Sequence, residues 1–181
     1  MTNANFPRGF QFYNDKGVDT VLIEANIDST NATSIGSGDT IIQEADGNVA
    51  RASAGAPDGL KQLGVANSFR DSTGSFLQLI PANTAGTVSF VPFIGNRFLV
   101  QTSGATVINS DVVGATADLI VSADANTVTG VSNMEIDSAT IGTGTQYNIE
   151  GKDPDSAWGE ANVRLIVSAN FYVGNTGTAS I

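Results

Sequence analysis

The chain contains no cysteine and no histidine. Without cysteine it forms no disulfide and offers no thiolate to a metal. Without histidine it lacks the commonest general base, the commonest metal ligand and every Ser–His or Cys–His nucleophile pair. Lysine occurs only at Lys16, Lys61 and Lys152, and charged residues make up 14% of the 181 residues. Long amphipathic helices draw on Lys, Glu and Leu, all scarce here. No apolar run approaches the roughly 18 residues of a membrane-spanning helix. The opening Met1-Thr2-Asn3-Ala4-Asn5 has neither the basic nor the apolar region of a signal peptide. From these features we expect assembly in a cytoplasm, with release by lysis, and no membrane partner.

Positive charge is short as well. Eight Lys and Arg stand against eighteen Asp and Glu, a net charge of −10. Binding a phosphate backbone needs clustered cations, so nucleic acid is not an expected partner. The same charge disfavours anionic membrane surfaces.

What the chain does have is small, turn-forming and β-branched residues. Gly occurs 20 times, and Thr, Ser, Ala, Asn and Val fill much of the rest. With 41% hydrophobic residues there is apolar material for one core. Such a mixture predicts short strands and many turns.

Along the chain, residues 1–20 read as an extended N-terminal arm. The Phe6-Pro7-Arg8-Gly9-Phe10 step disfavours helix, and Phe10, Phe12 and Tyr13 follow without helical spacing. These aromatics either fold back on their own core or dock on a neighbouring subunit by adding a strand to its sheet. Residues 21–175 then read as a single β-domain and 176–181 as a flexible tail. Strands are expected around Val21-Leu22-Ile23, Ile41-Ile42, Val49-Ala50, Leu63–Ala66, 76–80, 88–94, 97–102, 119–122 and 147–151. Asp46-Gly47 between two such runs is a strong hairpin signal. Pro92 belongs at a strand end or on an edge. Residues 111–117 are the place for a short helical turn. A strand is also expected over Val128–Asp137; in Val131–Asp137, Met134 and Ile136 face one way and Asn133, Glu135 and Asp137 the other, a half-exposed strand. The clearest strand is the last, where Val163, Leu165, Val167, Ala169, Phe171 and Val173 alternate with polar residues. It suits the centre of a sheet. The expected fold is all-β, an antiparallel barrel or sandwich.

Chemistry is sparse. Carboxylates crowd the C-terminal half: Asp111, Asp118, Asp124, Glu135, Asp137, Glu150, Asp153, Asp155 and Glu160. A glycosidase needs two of them across a cleft, yet there is one Trp and no aromatic sugar platform. Solvated faces and turn-stabilising Asp explain these residues better. Asp153-x-Asp155 and Glu135-x-Asp137 are calcium-like pairs, but neither extends into a full loop of oxygen ligands. The glycines of Ser34–Asp39 lack the Lys-Ser/Thr of a phosphate cradle. Trp158, in an acidic loop, suits a plug at one end of a barrel more than a binding hot spot. We expect no enzyme activity, no cofactor and no metal.

A series of short motifs runs through nearly the whole chain. Pro7-Arg8-Gly9-Phe10 follows an Asn-rich start, and Ile35-Gly36-Ser37-Gly38-Asp39-Thr40-Ile41 enters the first hairpin. Gly64-Val65-Ala66, Phe98-Leu99-Val100-Gln101 and Asp111-Val112-Val113-Gly114 come next. Thr129–Asp137, Ile149–Asp155 and Val167–Tyr172 complete the order. The arrangement resembles a group of tailed-phage virion proteins, the capsid decoration or cement proteins. It departs from their pattern at Asp155 after Pro154 and at Phe171, where a His is usual.

The resemblance implies a β-rich protein on the outer surface of a phage head, in contact with the major capsid protein. It also implies a homo-oligomer around a symmetry axis, with a trimer as the expected count. Phe6, Pro7, Arg8, Phe10, Phe12 and Tyr13 are then the expected interface, with Arg8 as its anchor. The alternative is a receptor- or glycan-binding module of a virion tail or fibre.

Overall fold

The computed structural model describes residues 3–14, 20–54 and 62–170. Its strands are β1 (Gln11–Tyr13), β2 (Ile23–Ile27), β3 (Ile35–Gly36), β4 (Thr40–Gln43), β5 (Val49–Arg51), β6 (Gln62–Asp71), β7 (Phe76–Leu77) and β8 (Leu79–Ile80). There follow β9 (Gly86–Pro92), β10 (Arg97–Gln101), β11 (Thr116–Ala117), β12 (Leu119–Val121), β13 (Met134–Ile136), β14 (Tyr147–Lys152) and β15 (Arg164–Ala169). Among the described residues the only helical pieces are two 3-10 turns, at Ser110–Val112 and Ser138–Thr140. The fold is all-β, and every pairing between strands is antiparallel.

Two larger sheets carry the architecture. One has the order β1-β10-β15-β14-β11. The other runs β2-β9-β6-β4-β5, with β7 pairing onto β6. Two small ribbons, β12-β13 and β3-β8, close gaps around them. No barrel closes among the described residues, and the sheets pack in the manner of a sandwich. The β15 strand sits at the centre of its sheet, as its clean alternation predicts.

The middle of the second sheet is buried on both faces. Ile42, Val65 and Val91 point into the core shared with the β15 sheet. Their chain neighbours Ile41, Ala66 and Phe90 point into a second core with Ile27, Ile35, Phe69 and Val88. Successive residues of a strand face opposite sides, so doublets such as Ile41-Ile42 mark a sheet that is covered twice. In the shared core, Phe93 lies edge-on to Phe98 at 5.1 Å and to Tyr147 at 5.9 Å.

Several expectations need correction. The boundary at residue 20 does not separate an arm from a domain, because β1 pairs with β10 in register Gln11↔Leu99 to Tyr13↔Arg97. Glu135 does not face solvent: it is buried in β13, and the strand covers Met134–Ile136 rather than 128–137, with Val128 in the loop before it. Trp158 plugs no barrel, and rests half-buried against the shared core. The helical turn near 111–117 is a single 3-10 turn that leads into β11. Pro92 ends β9 as expected, opposite Gly64. The expected strand residues 171–173 and the tail 176–181 lie outside the described residues.

Candidate functional site

The segment from Asn3 to Phe12 lies as a strap across the two sheets. Its first anchor is Asn3, whose side-chain amide donates to the carbonyls of Ala157 and Ala161 and accepts from Ala157 N. Next, Phe6 N donates to Gln101 Oε1 at 2.9 Å. Phe10 N then donates to Gly38 O at 2.8 Å. Gly9 makes that last bond accessible. It adopts φ +65°, and a Cβ there would lie 2.4 Å from Ser132 Cβ and 2.5 Å from Gly38 O. Only glycine fits the place on both counts.

The strap sorts its side chains. Phe10 is fully buried and stacks on Tyr147. Phe12 is half-buried, packed edge-on against Phe98 at 6.2 Å, and Tyr13 is half-buried in β1. These three belong to the chain's own fold, so of the two readings of the aromatics the folding back is correct. As an interface residue Phe10 is thereby corrected, since its ring has no free face. Phe6 is different. It is 62% exposed, and the Arg8 guanidinium lies over its ring at 4.6 Å. Pro7 is half-buried between them.

A cleft of about 690 Å³ opens beside the strap. Its floor is apolar, from Phe10, Phe12, Val65, Val91 and Phe98. Its rim carries the amides of Asn67, Asn126 and Asn133 and the guanidinium of Arg8. Among the described residues no carboxylate lines it. On the other side of the strap, a second cleft of about 510 Å³ includes Asp153, Asp155 and Arg164.

Beneath the strap lies a buried polar network. Asp39 is fully buried, and its carboxylate accepts from Gly36 N at 2.7 Å and from Ser132 Oγ at 2.5 Å. Arg51 Nε lies 3.1 Å from Asp39 Oδ1, as an ion pair without hydrogen-bond alignment. The same guanidinium donates to Asp124 Oδ1 at 2.9 Å and to Ala123 O at 3.0 Å. Burial pushes the Asp39 carboxyl above the usual carboxylate range, against the opposing pull of Arg51 and the donors from Gly36 and Ser132. The network ties the turn before β4 to the loop before β13, and both walls of the cleft depend on it.

The carboxylates singled out in the sequence do not converge. Asp153 is paired with Arg164 at 2.8 Å and also accepts from Asp155 N. Glu135 accepts from Gln101 Nε2 at 3.0 Å and from Ser122 Oγ at 3.4 Å. Burial raises its carboxyl above the ordinary range despite those donors. Asp137 caps the 3-10 turn through Ala139 N. The acids that do meet are Asp28, Glu44 and Asp46, with carboxylate oxygens within 4.8 Å of one another. Crowding by Asp28 and Asp46 adds to desolvation in raising Glu44. Glu44-x-Asp46 has the same acid-x-acid spacing as the two pairs singled out in the sequence, while Asp28, sixteen residues before Glu44, joins them only through the fold.

A further pair also went unread. Arg70 lies over the ring of Phe76 at 4.1 Å, and Phe76 is 72% exposed. The two are cross-strand partners of β6 and β7 around the Asp71–Gly74 turn. That turn was a legible signal.

No protein-family model, curated protein or solved structure matches this chain.

Proposed function

We propose that this chain is a decoration protein of a tailed-phage capsid, bound to the outer surface of the head and stabilising the lattice of the major capsid protein. The observation that carries the reading is the outward Phe6–Arg8 stack. It stands on the segment whose Pro-Arg-Gly-Phe motif resembles the start of that family. Gly9 and Phe10 lock the segment to the core, so the exposed pair is held in one orientation. Arginine and aromatic side chains in fixed geometry are the usual anchors of a protein interface.

Such a role needs a rigid scaffold and no catalysis. A protein that binds only the assembled, expanded shell stabilises it by mass action. Several copies around an axis raise the avidity, and we propose a homo-oligomer, a trimer, as the bound form.

The test is reconstitution of purified protein with undecorated expanded capsids, followed by sedimentation and electron microscopy. Saturable binding on the outer surface is expected, lost in Phe6→Ala/Arg8→Glu and kept in a distant surface variant. Deleting the strap is a poor test, because it also removes Phe10 from the core. Absence of binding in every salt condition overturns the reading.

A second reading, a glycan-binding module of a tail or fibre, draws on one feature. The cleft of about 690 Å³ combines aromatic rings with the amides of Asn67, Asn126 and Asn133. A glycan array would favour it if binding appeared and was lost on Asn126→Ala.

A further inference from the structure

Three of the described arginines are neutralised by carboxylates: Arg51 by Asp39 and Asp124, Arg97 by Glu150 and Arg164 by Asp153. Arg8 and Arg70 are not. Among the described residues neither has a carboxylate within ion-pair reach, and each lies instead over an exposed phenylalanine ring. In a chain of net charge −10 two unpaired guanidinium groups run against the prevailing field. Asp71, the chain neighbour of Arg70, turns its carboxylate to Thr73 and Ser75 instead.

The two stacks flank one loop. Asn126 and Thr129 line the cleft beside Phe6 and Arg8. At its other end the loop meets the residue between β7 and β8: a Cβ on Gly130 would lie 2.4 Å from Gln78 O. Phe76 stands two residues before Gln78. The loop is rigid, since Asn126 Oδ1 accepts from Val128 N and Thr129 N, and Gly130 N donates to Asn126 O at 2.7 Å. That turn holds Val128 out at 80% exposure. A second route joins the two ends. Asn67, on the cleft rim, and Arg70 lie three residues apart on β6, roughly 10 Å along the strand.

We infer that Phe6, Val128 and Phe76, with Arg8 and Arg70, form one docking surface for an acidic protein segment that alternates carboxylates with apolar side chains. The apolar residues of the partner meet the three exposed tips, and its carboxylates meet the two guanidinium groups. Stacking on a ring leaves the edge of the Arg8 guanidinium to donate in a fork to a carboxylate, and Arg70, whose Nη1 donates to Gly74 O at 3.4 Å, has its other N–H groups to offer. It also restrains the arginine rotamers before binding, which lowers the ordering cost. A basic segment does not fit this surface, because both guanidinium groups repel it, and nucleic acid does not fit, because the chain's net charge of −10 opposes a long polyanion. The inference rests on the capsid reading for the partner's identity, while the partner's chemistry is tested without capsids.

The experiment uses the full chain, labelled for NMR. It is titrated with a short synthetic peptide that alternates aspartate or glutamate with leucine and phenylalanine, and separately with the lysine version. The expected result is a set of shifts at Arg8, Val128 and Arg70 that weakens as salt screens the charges. In Arg8→Glu/Arg70→Glu the affinity falls about tenfold, two exposed charge pairs combined, with an unchanged melting temperature. Silence with the acidic peptide, equal binding of the lysine peptide, or shifts confined to other residues overturns the inference. Shifts at the same residues on raising the protein concentration alone also overturn it, because a second copy then covers the surface. Peptide binding without capsid binding sinks the capsid reading and keeps the surface. Capsid binding without peptide binding does the reverse.

Discussion

Phe10 stacks on Tyr147 with ring centroids 4.9 Å apart, which joins the N-terminal strap to the strand β14. The contact makes the strap part of the folding unit. Replacing Phe10 by Ala removes a fully buried ring and leaves a cavity, at a cost of about 3–5 kcal/mol. Replacing Phe6, exposed four residues earlier, changes stability by no more than about 0.5 kcal/mol. Denaturant unfolding of the two variants measures the contrast. Equal effects would mean that the strap is not seated as described.

Arg51 gives a second contrast within one guanidinium. On one side it faces Asp39, which is fully buried, and on the other Asp124, whose side chain is largely exposed. Arg51→Met strands a buried carboxylate, and we expect a loss of about 3–5 kcal/mol. Asp124→Asn removes only the exposed partner, at a cost of about 1 kcal/mol or less. Thermal unfolding at neutral pH reads both.

Glu135 predicts a pH dependence. Its folded pKa is raised by burial above the ordinary 4.5, so the folded state holds the proton more tightly than the unfolded one. The resulting stability is fully present below the ordinary value and is lost as pH rises through the raised folded pKa. Asp39 acts with the same sign, from an ordinary value of 3.8. Glu135→Gln keeps an oxygen to accept from Gln101 and removes the ionisation. We expect a higher melting temperature at neutral pH and a shallower fall between acid and neutral conditions. An unchanged slope across that range would remove Glu135 from the account.

The fold class was legible because period-2 patterns and turn residues are local properties. Val163, Leu165 and Val167 alternate with polar neighbours, and Asp46-Gly47 turns a hairpin where such a pair belongs. The double burial of the β6 sheet was written in doublets such as Ile41-Ile42 and Val65-Ala66, which alternation alone does not decode. Glu135 was misplaced for the same reason: a carboxylate on a strand reads as an outward residue until Gln101, from another strand, supplies its donor. Phe6 and Arg8 could be singled out from their motif. The Asp39–Arg51 pair could not, because it depends on the register Ile41↔Arg51 and on a loop from the second half of the chain. Val128 and the Arg70–Phe76 stack also depend on how distant loops meet.

Gly9 supplies the most direct test of why the strap motif reads Pro-Arg-Gly-Phe. Its φ of +65° disfavours any side chain, and its α-carbon sits where a Cβ would overlap Ser132 and the carbonyl of Gly38. Gly38 mirrors it: at φ +90°, a Cβ there would lie 2.6 Å from Arg8 O. The two glycines therefore let two backbones approach closely enough for Phe10 N to reach Gly38 O. Gly9→Ala forces them apart, with overpacking of about 1–3 kcal/mol added to the backbone strain. The amide of Phe10, which its bond to Gly38 O is expected to protect from hydrogen exchange in the native chain, then exchanges much faster. The control is Gly47→Ala, which has a similar φ of +92° at a hairpin tip with nothing within 4 Å. It carries the backbone strain without the clash. A Phe10 amide that stays protected in Gly9→Ala would show that the strap does not depend on this close approach.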